Sequence, residues 1–325
     1  AIVTYTINGG SNQTITLNAA GTNTVTTAAL TANTTYAIVS VATGGTPNCS
    51  QNITGQSALV TVKTLPTATI SGATTICSGG TTSITFNGTA NAIVTYTING
   101  GSNQTITLNA AGTNSVSTGA ITADATYTIV SVATGGTPNC SQNISGQSAV
   151  VTVKALPTAT ISGTTTICSG NTTSITFTGT PNATVTYTID GGANKIITLN
   201  AAGTNSITTN PLTVNTTYAI VSVASGGTPN CSQNISGQSA VVTIVGLPTA
   251  TISGTTTICS GTAASITFNG TANATITYTI NGGSNQTILL NAAGTNSVST
   301  GALTANATYT IVSVATGGPS NCSQN

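Results

Sequence analysis

Histidine, glutamate, arginine, methionine and tryptophan are all absent from the 325 residues. Five charged side chains remain: Lys63, Lys154, Lys195, Asp124 and Asp190. Without His, Glu or Arg there is no general acid–base pair and no triad of the usual kind, so the chain reads as no enzyme. Calcium loops need several carboxylates close together. Asp124 and Asp190 stand singly, at non-equivalent positions, and read as solvent-facing loop residues. Lys63 and Lys154 end equivalent segments and are expected to face water, while Lys195 is a single occurrence on a hairpin. Phosphate binding needs clustered Lys or Arg, which excludes nucleic acid as a partner. No apolar run approaches the roughly 18 to 20 residues that span a bilayer as a helix. No cofactor and no metal site is implied.

Low charge does not mean disorder, because 38% of the residues are apolar. Thr, Ser, Asn and Gly must cover the surface, with threonine about a quarter of the chain. Such a surface has little to screen or titrate.

What the chain has is repetition. VTYTINGGSNQTI occupies residues 3–15 and returns letter for letter at 94–106. Ala1, Ala92, Ala183 and Ala274 open the same segment, and Leu65-Pro66, Leu156-Pro157 and Leu247-Pro248 keep the same step of 91 residues. Solenoid repeats run shorter and cannot bury a core alone. About 90 residues is the size of a small self-sufficient domain. Boundaries at Leu-Pro give complete modules at 66–156 and 157–247, a partial one at 1–65 lacking its front strands, and one at 248–325 lacking its last strand. The chain therefore reads as a window on a longer polypeptide.

Each module reads as strands. Val94, Tyr96 and Ile98 alternate with Thr95 and Thr97, the two-residue period of a half-buried strand. A Gly-rich turn leads into 104–109, making a hairpin. Further strands are expected at 67–71, 74–77, 82–87, 115–118, 126–133 and 148–153, with Ile84, Phe86, Ile106 and Tyr127 joining the core. Seven or so short strands in about 90 residues predict an all-β fold, a tandem array of β-sandwiches. Strand 126–133 is apolar on both faces, with Val130 and Val132 opposite Tyr127 and Ile129. Either a loop covers those valines or they mark a lateral contact between chains.

A six-residue spacing joins Leu30 to Tyr36, Ile121 to Tyr127, Leu212 to Tyr218 and Leu303 to Tyr309. It resembles the tyrosine corner of immunoglobulin-like and fibronectin type III-like sandwiches, in which the phenol bonds back to backbone. The segments PTATISGTTTICSG, SITFTGTPNATVTYTI and LTVNTTYAIVSVASGGTPNCSQ together resemble the Ig-like modules of giant surface adhesins from Bacteroidota. Those are exported by the type IX secretion system, gliding adhesins of the SprB type among them. The resemblance covers every module. It implies an extracellular stalk at the cell surface, whose partners are its own neighbouring modules, like stalks, or an extracellular surface or glycan. A different reading makes the modules binders themselves, of glycan or ice, through Thr-x-Thr faces.

The seven cysteines suit an oxidising exterior. With no His and no CxxC, metal binding is the weaker reading. Two pairings are open. Bonds within modules would join Cys77–Cys140, Cys168–Cys231 and Cys259–Cys322, leaving Cys49 without a partner. This pairing is preferred, because a small domain gains most from its own staple. Strand order argues the other way, because TTIC should end at one pole and GGTPNC follow a strand ending at the other. Unless that loop folds back, the bonds join neighbours, Cys77–Cys231 and Cys168–Cys322. Finally, VKALPTAT leaves almost no spacer between modules, and proline stiffens what there is, which predicts a rod.

Overall fold

The computed structural model describes residues 1–318 and 320–325. It contains no helix among them and is all-β throughout. Contacts divide it into two compact units. One comprises Ala1–Thr74, Thr81–Gly119 and Asp124–Thr152; the other comprises Thr75–Gly80, Ala120–Ala123 and Val153–Asn325.

Residues 157–247, inside the second unit, show the repeat completely. A three-stranded sheet runs Ala159–Ser162, Ser174–Gly179, Thr204–Thr208. Facing it is a sheet in the order Thr165–Cys168, Ser239–Val245, Thr216–Ala224, Thr184–Ile189, Lys195–Thr198. The short strand Ser232–Asn234 adds to Thr216–Ala224. All pairs are antiparallel except Thr165–Cys168 with Ser239–Val245. The front of the repeat is thus split between sheets, and the chain switches at Gly163. That residue has φ 122, and a Cβ there would crowd the Ser174 carbonyl and Ile175. The core between the sheets includes Ile175, Phe177, Val185, Tyr187, Leu199, Tyr218 and Val242.

The first unit repeats this plan in the sheet Thr113–Ser117, Ser83–Gly88, Ala68–Ser71 and in the run Gln104–Thr107, Ile93–Ile98, Ala125–Ala133, Ser148–Lys154. Ile84, Phe86, Tyr96 and Tyr127 are buried as expected. Ile98 and Ile106 are only half-buried. The all-β sandwich reading holds, with nine strands in each complete repeat: the front pair is as expected, and the short strand Ser141–Asn143 or Ser232–Asn234 is added.

The doubly apolar strand has a local explanation. Between Ile129 and Ser131 the register against Ile93–Ile98 slips by one residue. Such a bulge returns the next side chain to the opposite face. Val132 therefore points inward with Tyr127 and Ile129 and is fully buried. Only Val130 is left outside. It is half-buried, and its carbonyl accepts the Ile144 N–H beside the strand Ser141–Asn143. The two valines therefore do not form one outer apolar face, which corrects the premise of both alternatives.

The hairpin turn places Asn99 at φ 51 and Gly100 at φ 68. Asn tolerates this left-handed region better than most residues. Its Oδ1 also accepts the Thr126 N–H at 2.8 Å, 27 residues away. Asp190 does the same for Thr217 at 2.7 Å. Asp190 is an exposed turn residue, as expected, and in addition it occupies the Asn99 position and ties hairpin to strand.

Candidate functional site

The most distinctive chemistry lies at the ends of the repeats, within the second unit. Thr165–Cys168 is held beside Ser239–Val245 in parallel register, with Cys168 level with Val245. Thr216–Ala224 runs antiparallel to the same strand, Thr216 level with Val242. Ala224 therefore lies far up the sheet from that level, about 27 Å at ordinary strand rise. Cys231 stays at that far pole, because Ser225 N–H donates to the Cys231 carbonyl at 2.8 Å and Ser232 pairs with Ala224.

A disulfide needs its Cα atoms within about 7 Å. Cys168 and Cys231 of one repeat cannot meet. The structure instead joins Cys77 to Cys231 and Cys168 to Cys322, with Cα separations of 5.4 and 5.5 Å. The preferred pairing Cys77–Cys140, Cys168–Cys231 and Cys259–Cys322 is thereby corrected: the loop does not fold back, so each staple steps forward by one repeat. Cys49, Cys140 and Cys259 are free thiols.

Hydrogen bonds reinforce the same places. Ser78 N–H donates to the Lys154 carbonyl, and Gly79 N–H to that of Ile121, both at 2.8 Å. These bonds lie inside the second unit and hold residues 75–80 to its other segments. Lys154 Nζ donates to the Gly226 and Pro229 carbonyls, each at 3.2 Å. In the other unit Lys63 Nζ reaches the Thr137 carbonyl at 3.5 Å. Half-buried Lys154 is thus a tie onto the GGTPNC loop, whereas Lys63 is exposed, as expected, and only grazes the equivalent loop. Gln233 Nε2 donates to the Pro157 carbonyl at 2.6 Å, and Gln142 to that of Pro66 at 2.6 Å. Each glutamine fastens the Leu-Pro entry of its own repeat. The SQN letters after each loop cysteine are the sequence signal for this tie, since a Gln recurring beside a Pro-bearing link is a ready donor.

Tyr36, Tyr127, Tyr218 and Tyr309 lie on the long penultimate strands. Among the described residues none of these phenols makes a corner-type bond to backbone. Tyr127 packs against Tyr96 with ring centroids 6.4 Å apart, and Tyr96 against Phe86 at 4.8 Å. Tyr96 Oη donates to Gln104 Oε1 at 3.1 Å. The tyrosines are a ring ladder.

Burial holds the phenols of Tyr96, Tyr127, Tyr187 and Tyr218 above the ordinary 10.0, with neighbouring tyrosines adding to it at Tyr127 and Tyr218. A raised value in the folded state means the fold keeps these protons more tightly than the unfolded chain does. That contribution is complete below pH 10 and is lost as pH rises through the folded values. With no histidine, thermal melts should vary little between pH 6 and 9 and fall beyond pH 10. A sharp loss between pH 6 and 8 would contradict this.

A cleft of about 540 Å³ in residues 248–325 is lined by Ile252, Ile258, Leu303 and Tyr309. It occupies the place that Ser239–Val245 fills in the preceding repeat. Thr256–Cys259 accordingly carries the TTIC letters without forming a strand. Among the described residues no three His, Cys, Asp or Glu come together. Among the described residues no helix is long and apolar enough to cross a membrane.

No protein family matches the sequence, and no curated protein does. Among solved structures a marsupial T cell receptor is similar at 12% identity and TM-score 0.38, over 76% of this chain and 99% of that one. An Escherichia coli alpha-2-macroglobulin activated by porcine elastase is similar at 8% identity and TM-score 0.24, over 82% and 32%. The sandwich assignment rests on the strand pairing described above.

Proposed function

We propose that the chain is the repeat region of an extracellular stalk, projecting something else away from a bacterial cell surface. The observation that carries this reading is the forward step of the staples. Both disulfides join one repeat to the next, at positions 154 residues apart. A module that worked alone would have no use for such a bond. The near-identity of exposed and buried positions alike points the same way, since duplication adds length without adding a distinct site. The resemblance to type IX-secreted adhesins of the Bacteroidota supplies the finer setting, and the bonds fit its oxidising exterior.

The threonine faces give the glycan or ice reading less support. Thr85 with Ser115, Thr176 with Ser206 and Thr267 with Ser297 lie 3.0 to 3.1 Å apart, hydroxyl to hydroxyl. These groups satisfy one another across strands instead of presenting an open row.

Reach should then grow in proportion to repeat number. The test is X-ray scattering on chains of two, four and eight repeats at low and high salt. Linear growth of the radius of gyration at both salts supports the stalk. Growth nearer the square root of length is what flexible linkers give. That result, or strong salt dependence, would return attention to the modules as binders.

A further inference from the structure

Cys168 lies inside the loop closed by Cys77–Cys231, and Cys231 lies inside the loop closed by Cys168–Cys322. The two bonds overlap in sequence, and this has a mechanical consequence. When a cross-linked chain is pulled by its ends, its greatest possible length is set by the shortest covalent path. With both bonds closed, that path runs from Ala1 to Cys77 and crosses to Cys231. It then goes backward along the chain to Cys168, crosses to Cys322 and ends at Asn325. Everything from Cys77 to Cys168 and from Cys231 to Cys322 is bypassed.

We propose that the two overlapping disulfides make this chain a covalently capped tether, in which each bond backs up the other. With Cys77–Cys231 alone, the path runs from Ala1 to Cys77 and from Cys231 to Asn325. With Cys168–Cys322 alone, it runs from Ala1 to Cys168 and from Cys322 to Asn325. These two paths are equally long, because each bond spans 154 residues of the same chain. At roughly 3.3 to 3.6 Å per extended residue the cap is about 490 Å with both bonds, about 590 Å with either one and about 1,120 Å with none. Loss of one bond therefore lengthens the tether only about 1.2-fold, whereas loss of both lengthens it about 2.3-fold. Unfolding of every sandwich under load would still leave the tether short. The value of such a cap rests on the stalk reading; its existence does not.

The test is single-molecule extension of the full chain held at its two ends, in the absence of reductant. Compared are the unaltered protein, the pair Cys77→Ser with Cys231→Ser, the pair Cys168→Ser with Cys322→Ser, and all four together. The expected gain in full extension is about 100 Å for either pair and about 630 Å for all four. Bonds confined within repeats would instead add about 220 Å for each bond lost. Either pair of substitutions would break two such bonds, so its gain would be about 430 Å. That larger gain, or no change on removing a pair, overturns the proposal. A correct set of gains alongside square-root scattering would leave the cap standing and sink the stalk alone.

Discussion

Replacing Tyr127 by alanine is expected to lower the stability of its sandwich by about 3 to 5 kcal/mol, as a large-to-small change in a packed core. Tyr127 is 3% exposed and contacts the Tyr96 ring, which in turn lies on Phe86. Removing the ring takes away one end of that ladder and leaves a hole against Tyr96. Tyr127→Phe should cost less than about 0.5 kcal/mol, because the phenol has no backbone partner to lose. A working tyrosine corner would make the Phe variant cost a hydrogen bond, about 0.5 to 1.5 kcal/mol. Urea melts of the two variants separate the cases. An Ala loss below about 1 kcal/mol would mean that the ladder is not part of the core.

The second large effect is expected at Gly179, where the three-stranded sheet meets the entry strand. Gly179 pairs with Ala159, and its N–H donates to the Gly203 carbonyl at 2.8 Å. A Cβ at Gly179 would run into the Thr158 carbonyl and press on the Ala159 Cα. Both obstacles are backbone, so no side chain can swing aside. Overpacking of this kind costs about 3 kcal/mol, and the displaced segment is the one that Gln233 ties down at Pro157. Gly246 provides the control. Nothing lies within 4 Å of a Cβ there, and its φ is not positive. Gly246→Ala should be neutral or slightly stabilising, by up to about 1 kcal/mol. Equal melts for the two variants would contradict the contact at Thr158.

The period, the strands and most of the core are legible in the letters, because alternation of Val, Tyr and Ile with Thr has only one comfortable conformation. The bulge at Val130 is not legible. A one-residue slip leaves no mark on composition, although it decides whether Val132 faces core or water. The cysteines show the limit most plainly. The strand-order conflict between TTIC and GGTPNC is visible, and it is the correct signal. The preference for a local staple outweighs it on sequence alone, because nothing in the letters shows whether the GGTPNC loop folds back or closes at the strand end. The bond from Ser225 N–H to the Cys231 carbonyl settles that. The lysine ties escape the sequence for a related reason: Lys154 lies 72 residues from the Gly226 carbonyl it meets.

Everything mechanical in this account depends on which cysteines are joined. Proteolytic digestion of the unreduced protein, with free thiols blocked and peptides identified by mass spectrometry, reads this directly. The expected result is a peptide holding Cys77 linked to one holding Cys231, and Cys168 linked to Cys322, with Cys49, Cys140 and Cys259 carrying the blocking group. Cys77 linked to Cys140, or Cys168 to Cys231, would show staples closed within repeats and would contradict both the capped tether and the observation on which the stalk reading rests.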